Sequence, residues 1–103
     1  MVKLWLDDER PKPDDFDCCV RTADTAIRLL RVGGITLISL DHDLGAEENG
    51  TGYDVAKFIE EAAYKGTLPP IEVRIHSANP VGRKRMLAAI ERAQLFWRQA
   101  AAK

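Results

Sequence analysis

The sequence predicts an α/β domain built on a short parallel sheet, and three observations carry that expectation. Short apolar runs alternate with stretches of helical period. Their order is strand, strand, helix, strand, helix, strand, helix, which suits parallel strands joined by crossover helices. Three of the four strand-like runs end in ionisable clusters, where ligands gather in open α/β sheets. With 103 residues, the chain has room for a single domain over 1–103, since domains run to roughly 100–200 residues.

Each element has its own local reason. Val2-Lys3-Leu4-Trp5-Leu6 is strand-like and stops at Asp7-Asp8. Residues Glu9 to Asp17 hold Pro11, Pro13 and three aspartates, and so form a loop. Cys18-Cys19-Val20 is a brief second strand. Thr22 caps a helix with the apolar face Ala23, Ala26, Ile27 and Leu30, and Gly33-Gly34 ends it. Ile35 to Leu40 is nearly continuously apolar, as a central strand would be.

A polar, flexible loop is expected over Ala46–Gly52. Thr51-Gly52-Tyr53-Asp54 then reads as a capping-box variant opening a helix with inner face Val55, Phe58, Ile59, Ala62 and Ala63. Ile71 to Ile75 alternates, as a half-exposed strand does. Asn79 followed by Pro80 starts the last helix, whose Met86, Ile90, Ala93 and Trp97 share one face. Right-handed crossovers are expected to place helices on both faces of the sheet. Trp5, Trp97, Phe58 and Tyr53 are assigned to the core.

Composition narrows the class. Apolar residues at 46% and charged residues at 30% exclude disordered, collagen-like and low-complexity chains. No apolar run is long enough to span a membrane, and the first residues lack the apolar core of a signal peptide. A cytoplasmic protein is expected. Cys18 and Cys19 are adjacent, so they read as buried free thiols rather than as a disulfide. Net charge is −1, but residues 80–103 hold six basic groups against Glu91 alone. The plain reading of that helix is a solvated face; the functional one is an anion held between it and an acidic cleft.

The chemistry is expected at the strand ends. If the sheet is parallel, Asp7-Asp8-Glu9-Arg10, Asp41-His42-Asp43 and His76-Ser77-Ala78-Asn79 converge on one edge. Asp7, Asp8 and Asp41 held together would repel one another unless a cation or shared protons intervene. Hard oxygen ligands of this kind suit Mg²⁺ or Mn²⁺. His42 and His76 are candidate general acid and base, because imidazoles exchange protons near neutral pH. Arg10, Ser77, Asn79 and Arg83 are candidate phosphate-binding groups, with Asn79 also the helix cap and the helix start an anion seat. Asp54 is assigned to capping. P-loop, GxGxxG and GxSxG motifs are all missing, and basic residues are not interleaved with aromatics as on an RNA-binding face. No double-stranded DNA partner is expected.

These residues carry two resemblances. Leu6-Asp7-Asp8, Leu40-Asp41 and Ser77-Ala78 resemble the receiver domain of response regulators. That resemblance implies Mg²⁺ on Asp7 and Asp8, a phosphoryl acceptor at Asp41, and Ser77 sensing the phosphoryl group. It also implies strand order 2-1-3-4 in a short flavodoxin-like three-layer sandwich. Relative to that pattern the first helix is missing, as is the fifth strand with its lysine. The closer resemblance is to the cyclic-phosphate processing receiver domain, on four blocks: Leu-Asp-Asp-Glu-Arg-Pro at 6–11, Leu-Asp-His-Asp-Leu-Gly at 40–45, Gly-Tyr-Asp at 52–54 and His-Ser-Ala-Asn-Pro-Val-Gly at 76–82. It implies a phosphoesterase-like activity on a cyclic phosphate of a nucleotide, RNA end or ADP-ribose derivative. Leu40-Asp41-His42-Asp43 is also similar to the DxD strand of haloacid-dehalogenase-type phosphatases, a convergence on phosphate chemistry.

Three functions follow as alternatives. The first is a metal-assisted enzyme with Asp41, His42 and His76 as its catalytic groups. The second is a degenerate receiver that binds phosphate or nucleotide without turnover. The third is an interaction domain using the fourth strand's open edge, with Phe96 and Trp97 covering that edge or pairing two copies.

Overall fold

Alternation along the first strand decides how the sheet is covered. In the computed structural model, which describes residues 1–102, the strands are β1 (Val2–Leu6), β2 (Cys18–Val20), β3 (Ile35–Leu40) and β4 (Glu72–Ile75). The helices are α1 (Ala23–Val32), α2 (Gly52–Lys65) and α3 (Pro80–Ala101). The sheet is wholly parallel with order β2-β1-β3-β4, as expected. Leu4 and Leu6 of β1 are paired with Ile38 and Leu40 of β3, and all four are fully buried. Each such side chain contributes about 1.5–3 kcal/mol of apolar burial.

All three helices pack on that one face. Leu30 of α1, Ile59 of α2 and Met86 and Ile90 of α3 join Leu4, Leu6, Ile38 and Leu40 in a single cluster. The expected second helical layer is not there, and the direction of the connections explains why. β2 to β3 and β3 to β4 cross the sheet in the same direction, so right-handed crossovers put α1 and α2 on the same side. Only β1 to β2 runs the other way, and that segment carries Pro11 and Pro13 instead of a helix. The opposite face is closed by a small cluster of Trp5, Phe16 and Leu37. Phe16 stands edge-on to Trp5 at 5.2 Å, an aromatic geometry that substitutes for a missing helix.

The local signals hold where they are purely local. The Thr22 hydroxyl accepts from the Thr25 N–H, and Gly33 ends α1 with φ 97°. Thr51 and Asp54 form a reciprocal capping box at the start of α2. Asn79 accepts from the Gly82 N–H, with Pro80 in the first turn of α3. The loop before α2, expected to be flexible, instead carries a 3₁₀ turn at Glu47–Asn49 and a bridge between Asp43 and Thr51.

Two assignments of burial need correction. Cys19 is exposed and Cys18 only half-buried. Cys19 is paired with Trp5 and so points to the face that has no helix, on an edge strand. Tyr53 and Phe58 are half-buried at helix surfaces, whereas Trp5 and Trp97 are core residues.

The basic residues of α3 mostly serve the fold. Arg92 bonds Glu60 of α2 through two nitrogens at 2.7 and 3.3 Å, and Arg85 lies 4.2 Å from the Tyr53 ring centre. Glu60 is held below the usual carboxylate range by Arg92 first, against a smaller opposing push from burial. Phe96 stands against Tyr64, and Trp97 donates to the Leu68 carbonyl at 2.9 Å, just before β4. These two aromatics therefore brace the α2–α3 seam and the approach to β4. Trp97→Phe is expected to leave that buried carbonyl unpaired and cost about 1–2 kcal/mol. At roughly 4–8 °C per kcal/mol, thermal melting reads the loss directly, and an unchanged midpoint refutes it. Among the described residues, no helix is long and apolar enough to cross a membrane.

Candidate functional site

The parallel ladder runs one residue beyond each strand, and those extra residues are the candidate groups. The Asp7 N–H donates to Val20, Asp41 to Leu6 and His76 to Leu40, all at 3.0–3.1 Å. Asp7, Asp41 and His76 are thus set side by side at the carboxyl end of the sheet, where ligands of open α/β sheets bind. One oxygen each from Asp7, Asp8 and Asp41 lies within 4.8 Å of the others. They open into a cleft of about 290 Å³, which Arg10, Asp43, Gly45 and Ala78 also line.

Asp7 is the anchored member. Its Oδ1 accepts the backbone N–H groups of Glu9 and Arg10 at 2.8 and 2.9 Å. Its Oδ2 meets His76 Nε2 at 3.1 Å, with the Arg10 guanidinium 3.7 Å away. Burial alone would push the carboxyl up; the Arg10 and Glu9 amides, with His76, outweigh it and hold the group below the ordinary range. A carboxylate has about four lone-pair positions, and three donors already occupy Asp7.

Asp41 has the opposite bias. It is buried to 8% exposure, and its Oδ1 accepts the His42 N–H at 2.9 Å. Burial first, and then the charge of Asp7, push its carboxyl above the ordinary range. Crowded like charges of this kind are what a bound cation relieves. Gly45, at φ 87°, makes room for the third carboxylate: a Cβ there would fall 2.9 Å from Asp8 Oδ2. A hard-oxygen donor set with surplus negative charge could hold a metal ion.

The histidines have different surroundings. His76 stacks flat on Trp5, with ring centres 3.8 Å apart and 7° between planes. Its Nδ1 lies 2.7 Å from Ser39 Oγ while Nε2 faces Asp7, so both ring nitrogens are engaged. Burial pulls the His76 imidazole below its ordinary value, with Asp7 opposing. His42 packs against the start of α3, outside the cleft lining, with Nδ1 3.0 Å from Asp43 Oδ1. His42 first, and then Asn79, hold Asp43 below the ordinary range, against burial. The His42 ring rests on Gly82, where no Cβ could fit.

The expected phosphate-binding groups divide. Arg10 lines the cleft and spends one nitrogen on the His76 carbonyl at 2.9 Å. Ser77 is buried and its Oγ accepts the Asn79 N–H at 3.1 Å. Asn79 caps α3 and its Nδ2 lies 3.4 Å from both oxygens of Asp43. Arg83 turns to the sheet edge, where it donates to the Ile75 carbonyl at 3.1 Å. Of these four groups only Arg10 is in the cleft lining; Ser77, Asn79 and Arg83 are not.

Sequence reasoning placed Asp43 in a strand-end cluster and Trp5 in the core without giving either a role at the site, and gave none to Gly45 or Ser39. Asp43 and Gly45 sit within the quoted Leu-Asp-His-Asp-Leu-Gly block and were legible there. Ser39 and Trp5 looked like ordinary strand positions, and only pairing across the sheet brings them to His76.

Comparison with known proteins identifies a family. No curated protein and no solved structure matches the chain. The family model of the cyclic-phosphate processing receiver domain matches residues 2–92, which include all four strands and every candidate group described above. With its parallel 2-1-3-4 sheet and carboxylates at the strand ends, the chain belongs to the cyclic-phosphate processing receiver domain family.

Proposed function

We propose that the cleft carries out divalent-metal-assisted hydrolysis of a cyclic phosphate, or a related phosphoester, on a nucleotide, RNA end or ADP-ribose derivative. The observation that carries this reading is the carboxylate trio of Asp7, Asp8 and Asp41 within 4.8 Å, with Asp41 pushed up by its neighbour's charge. The cleft walls hold five carboxyl side chains against one guanidinium, so an anionic phosphate needs a cation there first. Mg²⁺ or Mn²⁺ would be held by Asp7, Asp8 and Asp41. Once bound, it supplies charge stabilisation at the phosphoryl oxygens and an acidified water.

The chain's own groups do the rest. Arg10 has guanidinium donors beyond the one on the His76 carbonyl, and they grip phosphate oxygens at the rim. The Ser77 hydroxyl accepts from Asn79 and keeps its own hydrogen for a phosphate oxygen. His42, bonded to Asp43 of the cleft wall, is the proton carrier in this reading; it protonates the ester oxygen that leaves as the ring opens. Asp41 either attacks phosphorus through Oδ2 or orients the attacking water. In the balanced reaction one water adds, one ring P–O bond breaks, and a phosphomonoester and a free hydroxyl result.

Phosphorus NMR tests the reading. The protein is incubated with Mg²⁺ and 2′,3′-cyclic nucleotides, 3′,5′-cyclic nucleotides or ADP-ribose 1″,2″-cyclic phosphate. One cyclic resonance is expected to convert to a monoester, and the Asp41→Asn protein to leave it unchanged. Broadening of a ligand without conversion would replace this reading with a phosphate-binding module.

A further inference from the structure

We propose that Ser39 and His76 are positioning residues, forming a part-buried hydrogen-bonded strut that locks the Asp7 carboxylate in place. The inference deepens the metal-site reading and rests on it for its consequence, though not for its geometry. Three contacts define the strut. Ser39 Oγ is 2.7 Å from His76 Nδ1, His76 Nε2 is 3.1 Å from Asp7 Oδ2, and the ring lies flat on Trp5. Trp5 is pinned in turn, because its indole N–H donates to the Arg10 carbonyl at 3.1 Å. Trp5 lies in β1 and Ser39 in β3, while Asp7 and His76 directly follow β1 and β4, so the strut spans three neighbouring strands.

Hydrogen-bond chemistry assigns the direction of the chain. An ionised carboxylate only accepts, so Nε2 carries the hydrogen and donates to Asp7. In the neutral ring Nδ1 is then an acceptor, and the Ser39 hydroxyl is its donor. Ser39 is only 3% exposed, so water does not compete for that hydroxyl. The order Ser39 to His76 to Asp7 contains the residue types of a hydrolytic triad and runs in the same direction, with the two ring nitrogens exchanged: Nδ1 faces the serine and Nε2 the carboxylate. Each proton points toward Asp7, and Ser39, only 3% exposed and outside the cleft lining, holds the ring rather than meeting a substrate.

This arrangement leaves His76 no ring nitrogen for substrate. It acts through Asp7, as partners outside a metal site do when they fix the orientation of a ligand. The strut also accounts for the flat stack: a ring held face-on by Trp5 keeps both nitrogens in the plane that Ser39 and Asp7 require.

Two measurements test it. Long-range proton–nitrogen NMR of the metal-free protein is expected to show His76 as the Nε2–H tautomer. Ser39→Ala is expected to keep that tautomer, which Asp7 fixes, and to shift the Nδ1 resonance because its donor is gone. An Nδ1–H ring, or a Ser39→Ala spectrum identical to wild type, would overturn the strut. Mn²⁺ affinity, read by electron paramagnetic resonance of the free ion, is expected to fall about 10-fold in His76→Ala. His76→Gln places an amide N–H near the position of Nε2 and is expected to recover most of that loss. Equal loss in both variants would show that the ring only fills space, and would overturn the positioning role. If Ser39→Ala does not fold, the His76→Gln and His76→Ala pair still decides. Wild-type protein that binds no Mn²⁺ while keeping the Nε2–H tautomer would refute the metal reading and leave the strut's geometry standing.

Discussion

Asp41→Asn is expected to abolish turnover and most Mg²⁺ affinity, yet to melt higher than wild type when no metal is present. The side chain is isosteric, and its amide oxygen can still accept the His42 N–H, so the fold has no reason to change. What disappears is a buried negative charge beside Asp7. The sign follows from linkage. A carboxyl whose folded-state value is raised favours the folded state below its unfolded value of about 3.9, and that contribution is lost as pH rises through the folded value. Above its folded value the ionised Asp41 therefore opposes folding, and removing its charge raises stability there.

The midpoint difference between variant and wild type should widen as pH rises from about 4 toward neutrality. Mg²⁺ should reverse the ranking, because only wild type gains stability by binding. Asp7 has the opposite sign. Its lowered value favours the folded state above about 3.9, and that contribution is lost as pH falls through the folded value, so Asp7→Asn should destabilise at neutral pH. An Asp41→Asn protein that melts lower than wild type without metal would refute this account of the site's electrostatics.

Gly52→Ala is expected to have the largest effect on stability of any single methyl added to the chain. Intrinsic helix preference favours alanine over glycine by about 1 kcal/mol, so preference alone predicts a more stable protein. The packing predicts the reverse. A Cβ at Gly52 would fall on the backbone carbonyl of Asp41, well inside the 3.0 Å that Cβ atoms keep, and would also crowd Met86 Sδ. Gly52 opens α2, and its N–H donates to the His42 carbonyl. The helix start is thereby pressed against the segment that presents Asp41. Relief requires moving backbone, so a loss of about 2–4 kcal/mol is expected, seen as a midpoint lower by about 10 °C or more. Gly66→Ala is the control. It has open space around it and only an unfavourable φ of 74°, so about 1 kcal/mol is expected there. Equal losses at the two positions would show that the Asp41 backbone is not tightly held.

The elements and their ends were legible in the chain, because the forces that set them act over a few residues. Thr22, Thr51 and Asn79 cap the helices they were expected to cap, and each offers an oxygen to an N–H two or three residues on. The acidic and histidine clusters end their strands because turn residues stop apolar runs, and a parallel sheet then puts those ends on one edge. Four motif blocks together were enough to indicate the family.

Tertiary structure alone decided the rest. Helices cover one face because handedness acts on the direction of each connection across the sheet, which depends on strand order and on the loop that replaces a helix between β1 and β2. The two histidines read alike in sequence, each following a strand and preceding polar residues. They part company in space: His42 bonds its immediate neighbour Asp43 beside the cleft, while His76 is captured by Asp7, Ser39 and Trp5, at least 37 residues distant in the chain. Arg83 was drawn to an edge carbonyl and Arg92 to Glu60, both by partners that only packing supplies. Residue type and local order therefore determined which chemistry this protein carries and at which end of the sheet. Burial, and hydrogen bonds between distant strands, decided which of those residues face a ligand and which hold the others still.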